Sequence, residues 1–290
     1  MLISEALVLS KNNLKQKGVN SYQIDALLIL CHCLSFSKEQ VIFNPNFILS
    51  SNQQSQFFSL VTRRENHEPI SHIVGRREFF GNDFVVNNNV LDPRPDSESL
   101  IELAIDVFAD QNQALEILEL GVGSGCLLLT ILKYFPAAYG FGVDISDKAL
   151  EIARKNADLF GLSNRVNLSQ SNWFANIDSQ KKFDLIISNP PYIKTNDILS
   201  LQEEVKNFEP NLALDGGFDG LNCYDLIAQN VKQFLRESAF LLLEIGQDQE
   251  SDVIKIFSRA GLKFVQEKKD LSGIIRCLLF QNIKFSNENI

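Results

Sequence analysis

The spacing of apolar positions changes twice along this chain. From Ile3 to about Arg64 it is helical: Ala26, Leu27, Leu30, Cys33 and Leu34 recur at three- and four-residue intervals, as do Phe57, Leu60 and Val61. This predicts a small all-helical domain over residues 1–75, with Asn44-Pro45-Asn46 as a breaker inside it. Between Glu78 and Val86, two aromatic and β-branched runs flank Gly81-Asn82-Asp83, which is hairpin chemistry. The Pro93-Arg94-Pro95 stretch that follows is stiff and extended, because proline also pushes the residue before it out of helix. Residues 76–95 are therefore expected to be a β-hairpin linker.

From Ser97 onward helix and strand alternate. Helices are predicted over 97–108, 126–134, 148–160, 224–235 and 249–260, and strands over 115–120, 140–144, 166–170, 183–188 and 239–245. Such alternation implies a doubly wound, mainly parallel α/β sheet over residues 96–290. The last two strands, 263–267 and 274–280, are separated only by a short turn and predict an antiparallel hairpin at one sheet edge.

Composition narrows the class. With 290 residues, 45% of them hydrophobic and 22% charged, the chain can build two domains without disulfide support. Its five cysteines are odd in number and scattered, and Cys31-His32-Cys33 lacks the two-residue spacer of a metal site, so it reads as core packing and no metal is implied. The N-terminus has no secretory pattern, and apolar runs are far shorter than the roughly twenty residues of a membrane span. A cytoplasmic monomer without membrane attachment is expected. The net charge of −9 disfavours non-specific nucleic-acid binding, which depends on neutralising phosphates, and favours a protein partner.

Two motifs carry chemistry. Gly121-Val122-Gly123-Ser124-Gly125 closes the first strand of the alternating region and opens a helix. Its glycines allow a tight turn and close approach to a ligand, whether a nicotinamide or another adenosyl cofactor, or else merely helix–strand packing. Asp144 ends the next strand, where it can accept hydrogen bonds from both ribose hydroxyls or cap a helix before Ser146. Asn172 and Trp173 follow the third strand and offer an amide and an aromatic plane to an adenine ring; Trp173 serves core packing equally well. The second motif, Asn189-Pro190-Pro191-Tyr192, directly follows the apolar strand Leu185-Ile186-Ile187, at the carboxyl edge where open α/β sheets bind ligands. An amide or arylamine nitrogen is a poor nucleophile because its lone pair is delocalised. The Asn189 side-chain oxygen and the Pro190 carbonyl can hold its two N–H groups and aim it, the prolines stiffen the loop, and Tyr192 can cover a flat group.

These residues resemble the HemK/PrmC-type protein-(glutamine-N5) methyltransferases that modify peptide chain release factors. The likeness spans nearly the whole chain: Glu68-Pro69-Ile70, Gly75-Arg76-Arg77-Glu78-Phe79, Pro93-Arg94-Pro95-Asp96-Ser97-Glu98, the glycine loop, Asn189 to Tyr192, Phe208-Glu209-Pro210 and Asp215-Gly216-Gly217. The resemblance implies a Rossmann-like class I methyltransferase fold using S-adenosylmethionine and releasing S-adenosylhomocysteine. It implies cofactor contacts at Gly121, Val122, Gly123, Ser124, Gly125, Asp144, Asn172, Trp173 and Asn189, and a glutamine held by Asn189, Pro190, Pro191 and Tyr192. The implied substrate is the Gly-Gly-Gln glutamine of class-1 release factors, docked with help from the helical domain. Asp92 and Asn172 depart from the family pattern, which has an apolar residue and an aspartate there. The tetrapeptide alone is shared with glutamine methyltransferases of a large-subunit ribosomal protein and with adenine amino-methyltransferases. A binding module without activity is a further alternative, opposed by the intact glycine loop and Asn189.

Overall fold

The computed structural model describes residues 1–108 and 110–283. They form two compact units: Met1–Arg76 with Val86–Asn88 and Leu201–Phe208, and Arg77–Val85 with Asn89–Ser200 and the chain from Glu209 onward.

The first unit is helical, with α1 (Ile3–Gln16), α2 (Tyr22–Leu34), α3 (Lys38–Phe43), α4 (Ser51–Glu65) and α5 (Ile70–Val74). The start of α3 and that of α4 are each fixed by a capping box: Ser37 with Gln40, and Ser50 with Gln53. Of the residues whose period predicted the helices, Ala26, Leu30, Phe57 and Val61 are fully buried, together with Ile3, Leu14 and Ile29. Periodicity gives no sign of the ion pair in this core. Arg64, 2% exposed, donates to Asp25 Oδ2 at 2.7 Å and to Glu204 Oε1 at 2.6 Å, so the returning segment Leu201–Phe208 is pinned by a charge bond. A charge this deep is tolerated because each guanidinium nitrogen donates, the third to the Glu68 carbonyl, and Ser21 donates to Asp25.

The second unit takes up the chain at Arg77, within a hairpin of β1 (Arg76–Phe79) and β2 (Asn82–Val85). Its turn is Phe80-Gly81, one residue earlier than the sequence suggested, and both residues have positive φ, 49° and 69°. That is the geometry matching the twist of paired strands. Phe80 tolerates it because Glu98 accepts its N–H at 2.9 Å and Asn82 donates to its carbonyl at 2.8 Å. Then follow α6 (Glu98–Val107), β3 (Glu116–Leu120), α7 (Cys126–Tyr134), β4 (Tyr139–Asp144), α8 (Asp147–Leu159), β5 (Val166–Gln170) and β6 (Phe183–Ser188). The rest comprises α9 (Glu203–Phe208, in the first unit), α10 (Asn222–Ala228), α11 (Val231–Phe234), β7 (Leu235–Glu244), α12 (Glu250–Arg259), β8 (Lys263–Lys269) and β9 (Ile275–Gln281). The single helix expected over 224–235 is thus two short ones separated at Gln229-Asn230, and β7 starts four residues before its expected position. The polar run Arg236-Glu237-Ser238 hid that start, and a register shift against β6 with Ser238 at φ 63° accommodates it.

The seven strands lie in the order β5-β4-β3-β6-β7-β9-β8; β5 to β7 are parallel, and β9 is antiparallel to both neighbours. The mainly parallel α/β sheet with a C-terminal antiparallel hairpin is therefore present, with β8 at one edge and β5 at the other. Alternate strand residues feed two cores. Ile117, Leu185, Ile187 and Leu242 pack toward α6, α7 and α8, while Leu118, Ile186, Leu241 and Leu243 pack toward α10, α11 and α12.

One buried amide ties the hairpin to the glycine loop. Asn156 on α8 is 0% exposed; its Oδ1 accepts the Val85 N–H at 2.7 Å, and its Nδ2 donates to the carbonyls of Val85 at 3.0 Å and Ser124 at 2.8 Å. Replacing it by the isosteric leucine leaves three backbone groups without partners, each such loss worth about 1–3 kcal/mol. Asn156→Leu is expected to lower unfolding stability in urea by about 2–4 kcal/mol; an unchanged midpoint would show that this clamp contributes nothing.

Candidate active site

Strand register decides which residues meet at the carboxyl edge of the sheet. Leu120 pairs with Val143 on one side and Ser188 on the other, so Gly121, Asp144 and Asn189 leave the sheet side by side. Ser188 pairs with Leu243, which adds Glu244 to the row. The Ser188 hydroxyl donates to the Leu120 carbonyl at 2.8 Å and locks the central pair. Strand order reverses between β3 and β6, making this the switch point where doubly wound sheets take ligands.

The glycine loop crosses that edge with Gly121, Gly123 and Gly125 at φ 74°, 52° and 80°, a region in which side chains are strained. At Gly125 a Cβ would also press within 3.0 Å of Leu129 Cδ1. The loop is braced from β4: Gly121 and Val122 both donate to the Val143 carbonyl, and Gly123 donates to Asp144 Oδ2 at 2.9 Å. Asp144 Oδ1 accepts the Ser146 N–H at 2.8 Å, while Ser146 itself caps α8 by accepting from Ala149. The capping role thus falls to Ser146, and each Asp144 oxygen keeps capacity for another donor. Burial raises the Asp144 carboxyl above its ordinary value, opposed by these N–H groups. Trp173 stands at φ 51°, held there by Ser171, whose hydroxyl donates to the Trp173 carbonyl at 2.8 Å and accepts from Asn176.

A cavity of about 450 Å³ lies over this edge. Gly121, Val122, Gly123, Ser124, Asp144, Asn172, Trp173, Asn189 and Pro191 line it, so most of the residues singled out by sequence converge. Three do not. Gly125 is buried at the start of α7, Pro190 is buried, and Tyr192 turns its hydroxyl away toward Glu244 Oε1, at 3.2 Å. Cavity size, an acceptor-rich carboxylate, glycines that admit close approach and an indole plane together fit an adenosyl cofactor. The Asp92 departure is buried beside the cavity wall, its Oδ2 3.7 Å from Arg77 Nε.

The Asn189–Tyr192 turn is clasped from behind. Ile193 donates to the Leu214 carbonyl and accepts from Gly216, where a Cβ would come within 2.8 Å of Tyr192 Cα. The Gln249 side chain donates to the Tyr192 carbonyl at 3.1 Å. Asn189 Nδ2 donates to Ser97 Oγ at 3.1 Å, which leaves Oδ1 as its free acceptor. The sequence reading passed over Ser97, Glu119, Glu244 and Gln249. For the two acids the available signal was a carboxylate in the last two positions of an apolar strand, as in Leu118-Glu119 and Leu243-Glu244. Glu119 accepts from Leu128 N at 3.0 Å, and burial holds its carboxyl well above the usual range.

Comparison with known proteins agrees with this geometry. Residues 5–75 match the PrmC N-terminal domain and residues 111–261 a methyltransferase domain. The release factor glutamine methyltransferase of Agrobacterium fabrum is 37% identical over 96% of this chain and 97% of its own, and that of Rhodospirillum rubrum 40% identical over 92% and 81%. A methyltransferase structure from Pyrococcus furiosus, 17% identical, superposes with a TM-score of 0.53 over 81% of this chain and 100% of that one, a likeness of fold alone. Among the described residues no helix is long and apolar enough to cross a membrane. Near-complete coverage at such identity, with a methyltransferase fold whose switch point carries the glycine loop and Asn189, shows that this chain is a methyltransferase belonging to the release factor glutamine methyltransferase family.

Proposed function

We propose that this chain transfers a methyl group from S-adenosylmethionine to the side-chain amide nitrogen of the Gly-Gly-Gln glutamine in class-1 release factors. The observation that carries this reading is the fixed orientation of Asn189: its NH2 end is committed to Ser97, so its oxygen is the end available to an N–H of an incoming amide. The bound cofactor supplies an activated methyl on a sulfonium. Asn189 Oδ1 and the Pro190 carbonyl accept the two N–H bonds of the glutamine and hold its nitrogen in line for transfer. Asp144 takes the ribose hydroxyls, the loop Gly121–Gly125 lets the cofactor approach the backbone, and Asn172 with Trp173 serves the adenine. The helical region 1–75 docks the release factor, 76–95 links, and 96–290 performs the transfer. The enzyme works in the cytoplasm as a monomer, and its net charge of −9 supports a protein substrate without direct nucleic-acid contact.

Three measurements test this assignment. Asp144→Ala removes charge-assisted hydrogen bonds and should weaken cofactor binding about tenfold or more by calorimetry; unchanged affinity would remove Asp144 from the ribose. Asn172→Asp places a charged acceptor at the adenine amine and should tighten binding modestly, whereas weaker binding would mean that the amide donates there. Asn189→Ala should keep cofactor affinity and reduce turnover on release factor by about a hundredfold to a thousandfold, read by peptide mass spectrometry at the Gly-Gly-Gln glutamine. Full activity of the variant, or wild-type enzyme methylating adenine instead of that glutamine, would overturn the reading.

A further inference from the structure

Behind the Asn189–Tyr192 turn lies a carboxylate to which the transfer described above assigns no part. Glu244 ends β7, is 1% exposed, and receives two hydroxyls: Ser97 Oγ donates to Oε2 at 2.5 Å and Tyr192 donates to Oε1 at 3.2 Å. Ser97 in turn accepts the Asn189 Nδ2. The four side chains come from a 3-10 turn at Pro95–Ser97, the tetrapeptide and β7, and the pairing of Ser188 with Leu243 brings the last two of these segments together.

We propose that Glu244 is a positioning residue for methyl transfer, which through the Ser97 hydroxyl sets which end of the Asn189 amide faces the substrate and through the Tyr192 hydroxyl holds that ring in place. The inference rests on the reading in which Asn189 Oδ1 accepts from the glutamine. A serine hydroxyl has one proton. While Glu244 is charged it draws that proton to itself, and Ser97 offers Asn189 only lone pairs, which bond the NH2 end of the amide. The oxygen end then faces outward. A proton on Glu244 Oε2 reverses the chain: the acid donates to Ser97, Ser97 donates to Asn189, and the amide turns its NH2 end toward a substrate that also presents N–H groups. A proton on Oε1 instead leaves the Tyr192 hydroxyl without its acceptor. Either placement undoes a restraint that the reaction uses.

The switch falls in an accessible range. Burial pushes the Glu244 carboxyl up to about 7, helped by Asp96 and opposed by the Ser97 and Tyr192 hydroxyls and the Arg276 guanidinium. The phenols and thiols beside it do not change charge there: burial raises the Tyr192 and Tyr224 phenols and the Cys126 thiol, and lifts the Cys277 thiol to about 12, while Glu119, which faces the same Cys126 thiol, is a second carboxyl that burial holds well above its usual range. The sign follows: the competent anion is lost as pH falls through 7.

The test is the pH profile of kcat with saturating cofactor and a class-1 release factor. Wild type should gain about tenfold between pH 6 and pH 8, the change expected for one group titrating near 7. That limb should disappear in Glu244→Gln and persist in Glu209→Gln, whose carboxyl burial also lifts to about 7 against the pull of Arg94. At pH 8, Ser97→Ala should lose about tenfold or more in kcat with KM little changed, and Ser97→Thr should restore it. A readout independent of turnover is the infrared carboxyl stretch of the cofactor-loaded enzyme, which should grow as pH falls through 7; the difference between wild type and Glu244→Gln should isolate a Glu244 component, apart from the Glu209 component that persists in that variant. A limb that survives in Glu244→Gln, wild-type kcat in Ser97→Ala, or no infrared band that depends on Glu244 would each overturn the proposal. Absence of glutamine methylation by wild type at every pH would instead refute the assigned substrate, and the infrared titration would still decide whether Glu244 switches.

Discussion

The parallel register of β4, β3, β6 and β7 is the constraint on which the site depends. Because Leu120 stands opposite both Val143 and Ser188, and Ser188 opposite Leu243, the residues that follow these four form one row at the strand ends: Asp144, Gly121, Asn189 and Glu244. A slip of one residue in any pair would exchange the faces on which side chains emerge. It would move Leu118 or Ile187 into the opposite core, where the packing does not match it, and turn the row away from the cavity. The two hydrophobic cores therefore enforce the site geometry as well as the fold, since alternate residues of the same strands are fully buried on opposite faces. The Ser188 hydroxyl on the Leu120 carbonyl adds a direct bond between the two strands that carry the glycine loop and the tetrapeptide.

Features encoded within a few neighbouring residues were legible in the sequence. The helical period around Ala26 and Leu30, the apolar strand before Asn189 and the glycine spacing after Leu120 each express a local steric or solvation requirement. The converging residues Gly121, Asp144, Trp173 and Asn189 were accessible because each sits at a strand end or within three residues beyond it. What escaped depends on partners remote in sequence. Arg64 reads as a solvated helix charge until Asp25 and Glu204 are brought to it, 39 and 140 positions away. Ser97 and Glu244 are 147 positions apart, and Asn156 finds Val85 across 71. The Phe80-Gly81 turn was displaced for a related reason: Phe80 accepts a positive φ only with the help of Glu98.

The clasp around the tetrapeptide holds rigid the short loop to which we assign the chemistry. A glycine at 216 lets a second loop lie directly on Tyr192, since a Cβ would collide with the backbone there. Gln249 closes the other side by holding the Tyr192 carbonyl, while its own Oε1 accepts the Gly246 N–H at 2.9 Å. Each contact removes a rotation that the loop would otherwise have to lose on binding substrate, which is the physical content of preorganisation.

Preorganisation of this kind opposes stability. A carboxyl whose folded pKa lies above its unfolded value favours the fold only while neutral: for Glu244 that contribution is complete below about 4.5 and lost as pH rises through about 7. A displacement of this size corresponds to about 3 kcal/mol against the folded state once the group is charged, a large share of what holds an ordinary domain together. Trp173 at φ 51° adds a smaller backbone strain of about 1–3 kcal/mol in the same edge of the sheet. Both burdens sit where strand register delivers cavity-lining residues, and both are absorbed by the apolar faces of the strands that carry them. A buried acid with no chemical use would be replaced by an apolar residue at a gain in stability; one that orients Asn189 can be kept only where the surrounding core is large enough to offset it.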